Sequence, residues 1–209
     1  KTEKTRKVTV SLHSDNVLTR PAIKEVEDQI TGASVAPDAK RVVFAARGEL
    51  FTVPAEKGDV RNLTASPEVR DLAPAWSPDG KQVAWLSDRT GEYEVWLMPA
   101  DGHGEPRQLT KGADTYRERL SWSPDGKYLA LNDAAMNLWL VDAATGALTK
   151  VDHSTTGEIN DWSWAPRGGW LAYAKGETNG FRSLYLYEVA AGKVHRVTDD
   201  LTDTSAPCF

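Results

Sequence analysis

The sequence predicts an all-β fold: a β-propeller of roughly four four-stranded blades, forming an open partial propeller, a fragment of a larger ring. Three observations carry this. A proline-centred phrase recurs, as "SVAPDAKRVVF" from Ser34, "AWSPDGKQVAWLSD" from Ala75, "SWSPDGKYLALND" from Ser121 and "SWAPRGGWLAY" from Ser163. Its prolines, Pro37, Pro78, Pro124 and Pro166, lie 41, 46 and 42 residues apart, the period of a four-stranded blade. Pro and Gly recur inside every unit and long 3.6-residue stripes are missing, which excludes a helical solenoid of similar period.

The elements follow in chain order. Residues 1–29 form a lead-in, with an edge strand expected over Val8 to Leu12 from its alternation of β-branched and polar residues. A short helix is expected over Arg20 to Gln29, with Pro21 near its start. The blades then run over residues 30–71, 72–118, 119–160 and 161–205, and residues 206–209 begin a further one, since Ala206-Pro207-Cys208-Phe209 lies over Ala73-Pro74-Ala75-Trp76.

Within each unit a first strand ends in an apolar residue (Val35, Trp76, Trp122, Trp164). A Pro-Asp-Gly turn or a variant then reverses the chain, Pro presetting φ and Gly accepting a positive value. The second strand, as at Lys81 to Ser87 or Lys127 to Asn132, is nearly continuously apolar, which suits burial on both faces. A third strand, rich in aromatic and branched residues, covers Leu50 to Val53, Tyr93 to Met98, Met136 to Val141 and Ser183 to Tyr187. A short fourth strand is expected to end in Leu63-Thr64, Leu109-Thr110 or Val197-Thr198. The third unit departs, with Lys150-Val151 in that place. Four strands cannot bury both faces alone, so the units stack face to face. Trp76, Trp85, Trp96, Trp122, Trp139, Trp164 and Trp170 are then core between blades.

Composition narrows the function. The 209 residues carry a net charge of -5, which argues against a nucleic-acid surface. The basic run Lys1, Lys4, Arg6, Lys7 reads as a solvated terminus. No segment approaches the ~18 consecutive apolar residues of a membrane span, and no secretory h-region is visible. The compartment, cytoplasmic or periplasmic, stays open. The single Cys208 forms no internal disulfide.

No catalytic, cofactor-binding or metal-binding residue is assigned, and no cofactor is expected. "GASVA" from Gly32 to Ala36 faintly resembles a nucleophile elbow, but Ser34 occupies the repeat slot of Ala75, Ser121 and Ser163. His13, His103, His153 and His195 show no ligand spacing. Asp38, Asp79 and Asp125 recur at equivalent turn positions, as turn formers do and a catalytic pair does not. The cluster Asp199, Asp200, Asp203 reads as a solvated loop rather than a calcium site.

The phrases "WSPDGK", "SDRTGEYEVW" and "RNLT" resemble the propeller repeats shared by tricorn proteases, the translocation protein TolB, and the prolyl oligopeptidase and dipeptidyl-peptidase propellers. The run from Lys40 to Met98, above all "ARGELFTVPAEKG" and "SDRTGEYEVW", is similar to the start of the second, seven-bladed propeller of tricorn-type proteases. "NDAAMNLWLVDAATG" and "APRGGWLAYAKG" fit only the general repeat. The resemblance implies a segment without catalytic chemistry of its own, in a parent serine peptidase whose nucleophile lies in later domains. It also implies that the propeller filters and guides peptides through its central channel. The expected partners are a peptide or protein, and either remaining blades or a second copy of the chain. Two alternatives stand beside this: a TolB-like interaction propeller with no attached peptidase, and the propeller cap of a prolyl-oligopeptidase-type hydrolase.

Overall fold

A computed structural model of the chain describes residues 25–209 together with Val8 and Val10. Of the expected strand over residues 8–12 all but Val8 and Val10, and of the expected helix over 20–29 the first half, lie outside the described residues. At the end of the latter, Glu27–Gln29 form a 3-10 turn.

Sixteen strands follow, arranged as four antiparallel four-stranded sheets, each in simple sequential order. Blade 1 is β1 (Ile30–Val35), β2 (Arg41–Ala46), β3 (Glu49–Pro54) and β4 (Arg61–Asn62). Blade 2 is β5 (Asp71–Trp76), β6 (Gln82–Thr90), β7 (Glu92–Pro99) and β8 (Arg107–Gln108). Blade 3 is β9 (Arg117–Trp122), β10 (Tyr128–Asp133), β11 (Asn137–Asp142) and β12 (Leu148–His153). Blade 4 is β13 (Trp162–Trp164), β14 (Trp170–Gly176), β15 (Arg182–Glu188) and β16 (Lys193–Arg196).

Alternation along each strand sends side chains to the two faces of its sheet. In blade 2, Val83 and Trp85 face blade 1, while Ala84 and Leu86 face blade 3. Three apolar cores result, one in each seam. Val43, Ala45 and Leu50 meet Trp76, Val83, Trp85 and Met98 between blades 1 and 2. Leu86, Val95 and Leu97 meet Leu129, Leu131 and Val141 between blades 2 and 3. Leu138, Leu140 and Ile159 meet Leu171, Tyr173, Tyr185 and Tyr187 between blades 3 and 4. Each fully buried Leu or Val contributes about 1.5–3 kcal/mol, so these seams carry most of the stability. Among the described residues no core joins blade 4 to blade 1, and the ring is open.

Six of the seven tryptophans expected between blades lie in or against these cores. Trp170 does not. Its neighbour Leu171 faces blade 3, so alternation turns Trp170 to the opposite face, where its ring lies 5.7 Å from that of His195.

The Pro-Asp-Gly turns form as expected. Lys81 N–H donates to Asp79 Oδ1 and Lys127 N–H to Asp125 Oδ1, with Gly80 and Gly126 at φ 71°. In the same turns Ser77 Oγ and Ser123 Oγ each donate to the aspartate at 2.6 Å and accept from the N–H of Gln82 or Tyr128. The hydrogen bond from Ser77 and then that from Lys81 N–H hold the Asp79 carboxyl below its ordinary range. For Asp125, burial acts upward and is outweighed by the donors Ser123 and Lys127. In the first blade Ala36 replaces the serine, and Asp38 keeps the bond from Lys40 N–H.

The fourth strands differ from expectation. β4 and β8 stop before the Leu-Thr pair, and β16 before Val197-Thr198. There the threonine hydroxyl takes the place of a ladder carbonyl: Leu50, Val95 and Leu184 N–H donate to Thr64, Thr110 and Thr198 Oγ1 at 3.1, 2.9 and 2.9 Å. The third unit has no such threonine, and β12 runs on to His153.

Two predictions follow from this packing. Gly146, at φ 77°, sits so close to the Leu109 carbonyl of blade 2 that a Cβ would collide with it, whereas Gly91, at φ 111°, has nothing nearby. Gly91→Ala should cost about 1 kcal/mol of backbone strain, and Gly146→Ala at least about 2 kcal/mol more, as read by urea denaturation; equal losses would contradict the seam. Depressed carboxylates add stability that is present above their unfolded pKa and lost as pH falls through the folded one. Ser77→Ala combined with Ser123→Ala should therefore cost about 2–4 kcal/mol near neutrality and distinctly less once the pH has dropped below the Asp range, because the Ser–carboxylate component is then gone in both proteins. A pH-independent penalty would show that the serines act on the backbone alone.

Candidate functional site

Successive blades touch mainly through their first strands: β1 packs on β5 and β5 on β9. Hydrogen bonds repeat this link. Trp76 N–H donates to Ser34 Oγ, Trp122 Nε1 to the Ala75 carbonyl, and Trp162 and Trp164 Nε1 to Ser121 Oγ at 2.7 and 3.3 Å. The wedge is thus narrowest at the first strands, and these surround the axis. Each is paired on one side only, to β2, β6, β10 or β14, so its other edge carries backbone N–H and C=O groups outside any ladder. This axial wall is the candidate site for passage or capture of an extended chain.

The charged residues of the wall cluster at the end of the blades where one blade crosses to the next. At the start of β9, exposed Arg119 lies 5.1 Å from the Trp162 ring centroid and donates to the Asn160 carbonyl. Beside it, burial and then the neighbouring Glu158 carboxylate push the Glu118 carboxyl above its usual range.

The same end holds three buried or half-buried ion pairs, one within blade 2 and one across each of the two later seams. Asp71, wholly buried, accepts from Trp85 Nε1 at 3.0 Å and Ser66 Oγ at 2.9 Å and pairs with Arg89, whose guanidinium lies 4.6 Å from the Trp96 ring centroid. Between blades 2 and 3, Arg117 Nη1 reaches Glu94 Oε2 at 2.5 Å and Thr110 Oγ1 at 2.7 Å. Glu94 Oε1 accepts from Ala113 N–H and so anchors the crossing loop. Between blades 3 and 4, Asp152 Oδ2 accepts from Tyr173 Oη at 2.6 Å and Lys175 Nζ at 2.8 Å. Burial, then the bond to Asp152, push the Tyr173 phenol far up; burial and the bond to Glu177 push Tyr185 up to about 12. Asp152 follows Val151 in the unit lacking the Leu-Thr pair, so that irregularity has a physical purpose: it supplies the acid of this pair.

The residues weighed for chemistry are dispersed. Ser34 spends its oxygen on Trp76, as a latch between blades. His13 lies outside the described residues. His195 lies 3.7 Å from Glu188 on an exposed strand, and His153 caps its own neighbour Asp152 through N–H. His103 N–H donates to Asp101. Asp199 and Asp203 accept from the N–H groups of Leu201 and Arg182, and Asp200 pairs with Arg196. Among the described residues no three His, Cys, Asp or Glu are grouped to hold a metal ion. The ion pairs and Trp162 escaped sequence reasoning. For Trp162 a signal existed, since Trp162 and Trp164, two apart on a strand, must share a face.

Comparison with known proteins agrees with the geometry. Over 183 residues the chain is 28% identical to tricorn protease homolog 1 of Streptomyces coelicolor, covering 84% of this chain and 17% of that protein. The crystal structure of the tricorn protease superposes with a TM-score of 0.78 at 18% identity, over 88% of this chain and 18% of that one. TolB from Acinetobacter baumannii superposes with a TM-score of 0.63 at 17% identity, over 83% and 45% of the two chains. The chain thus spans less than a fifth of the tricorn proteins it matches. Residues 30–209 match the family described as the tricorn protease second beta propeller domain, and the chain belongs to that family.

Proposed function

We propose that this chain is a non-catalytic propeller segment of a tricorn-like serine peptidase, and that it guides or gates peptide substrates. The convergence of the first strands, with their unpaired edges turned to the axis, supports the reading most directly. An extended peptide meets backbone donors and acceptors there that require no particular sequence. Selection then rests on the width of the passage. Membership of the tricorn second-propeller family supports the same reading.

The partners follow from the open ends. Blade 1 exposes Val35, and blade 4 turns Trp170 away from its only described neighbour. Either remaining blades or a second copy of the chain would cover these faces. Ala206 supports the former: its φ of 56° repeats the 50° of Ala73, and its N–H donates to Asp161 Oδ2 on the blade 4 side at 2.6 Å. Residues 206–209 would then open a further blade. A second reading, a TolB-type interaction propeller with no peptidase attached, is favoured by the superposition on TolB.

The test uses the full-length protein that carries this chain. Hydrolysis of a long and a short unfolded peptide sharing one cleavage sequence is compared before and after removal of the segment. Gating predicts that the ratio of the two rates changes on removal. An unchanged ratio would sink it, and absence of hydrolysis in any form would favour the interaction module.

A further inference from the structure

A cavity of about 520 Å³ opens on blade 3 beneath the loop that crosses from blade 2. Its size falls in the range of about 300–1,000 Å³ of small-ligand pockets. It runs along blade 3 from Arg117 on the first strand, past Asp133 and Asn137, to Trp139 and Lys150 on the outer strands.

Two side chains more than nine-tenths buried leave polar atoms unspent there. Arg117 is 5% exposed, and only its Nη1 is bonded among the described residues, to Glu94 and Thr110, which leaves Nη2 and Nε. Asn137 is 7% exposed and gives its Nδ2 to both oxygens of Asp133, which fixes the amide orientation and leaves Oδ1 without a donor. Among the described residues the sealed, partnerless side-chain atoms are the indole nitrogens of Trp76 and Trp96. The spare atoms of Arg117 and Asn137 are therefore not sealed, and the cavity they line is where they emerge.

The charge balance decides what fits. Glu94 at 2.5 Å already neutralises Arg117. Asp133 is spent on Asn137 and on Trp139 Nε1 at 2.7 Å, so it has little left for a cation. At the rim Lys150, its Nζ 5.1 Å from the Trp139 ring centroid, is offset by Asp114. Asp133 keeps its charge because its donors are neutral, so the lining is net negative and repels an anion, while a cation finds the Asp133 oxygens already taken. What remains is one donor edge and one acceptor beside an indole wall, the complement of a neutral group that accepts and donates at adjacent atoms. From this we infer that the cavity is a binding site for a carboxamide, either an Asn or Gln side chain or a peptide bond. The inference rests on the peptide reading above only for the source of that group.

The test is a titration of the ¹⁵N-labelled 209-residue chain, following the Trp139 indole N–H resonance. The probes are N-acetyl-glutamine methylamide, N-acetyl-alanine methylamide and N-acetyl-glutamate methylamide. Saturable shifts with the glutamine probe alone identify a side-chain amide; equal affinity for the glutamine and alanine probes identifies the peptide bond. In either case Arg117→Lys, which keeps a cation beside Glu94 but removes the guanidinium edge, should weaken binding about tenfold, with an unchanged fold checked by its spectrum. No saturable shift, a shift that the glutamate and glutamine probes share and the alanine probe lacks, or unaltered affinity in the lysine variant would overturn the inference and leave a cavity filled by water. Because no passage through the axis is involved, failure here leaves gating standing, and failure of gating leaves this site standing.

Discussion

Everything in this molecule depends on one constraint: a four-stranded sheet with apolar side chains on both faces is stable only when another sheet lies against each. Val83 and Trp85 on one side of β6, and Ala84 and Leu86 on the other, cannot all be buried within blade 2. Blades must therefore come in series. A series of wedges bends, because the first strands pack directly on one another while the fourth strands are held apart. The axial wall with its unpaired edges is a geometric by-product of that bending, and a chain-guiding role would make use of it.

The repeat alone does not hold the seams at their crossing ends. There the second and third are closed by different acids and bases, Glu94 with Arg117 and Asp152 with Lys175, while Asp71 and Arg89 pair within blade 2. Breaking a buried pair costs about 3–5 kcal/mol, although an apolar replacement of both partners is often neutral. Such pairs therefore fix which face meets which more than they add stability. In a stack of near-identical units, where one blade could slip into its neighbour's place, that distinction has value. The serines and threonines act differently. Ser77 and Ser123, or Thr64, Thr110 and Thr198, repeat the same bond in successive blades and shape each unit regardless of its neighbour.

This division explains what was legible. Strand order, the Pro-Asp-Gly turns and the stacking of blades could be read because the same residues recur at one spacing, and repetition filters out accident. For Trp170, a residue count along the strand fixes alternation but not whether the face it joins has a described neighbour. The Leu-Thr pairs were read as strand ends because a threonine side chain standing in for a backbone acceptor leaves no trace in hydrophobic pattern. The ion pairs were illegible for a deeper reason. Glu94 has a counterpart in Glu49 of blade 1, but its partner Arg117, 23 residues on, stands where blade 2 has Asp71 and blade 4 has Ile159, so internal comparison could not flag the pair. Asp152 shows that the information was present in another form, since the unit that breaks the Leu-Thr rule places a seam acid beside the break.

The same reasoning bears on where binding chemistry sits in such a fold. Positions that recur between blades are committed: their donors and acceptors are matched within the unit, as with Asp79 and Asp125, or between first strands, as with Ser34 and Ser121. Unmatched polar atoms can persist only where a seam is irregular enough to leave space beside them, since a sealed one costs about 1–3 kcal/mol. The crossing end of blade 3 leaves that space beside Arg117, which turns back to Glu94 of blade 2. One side of its guanidinium is satisfied and the other opens onto space. A propeller of this kind thus separates two tasks: its periodic residues build a wall, and its aperiodic ones hold whatever selectivity the wall has.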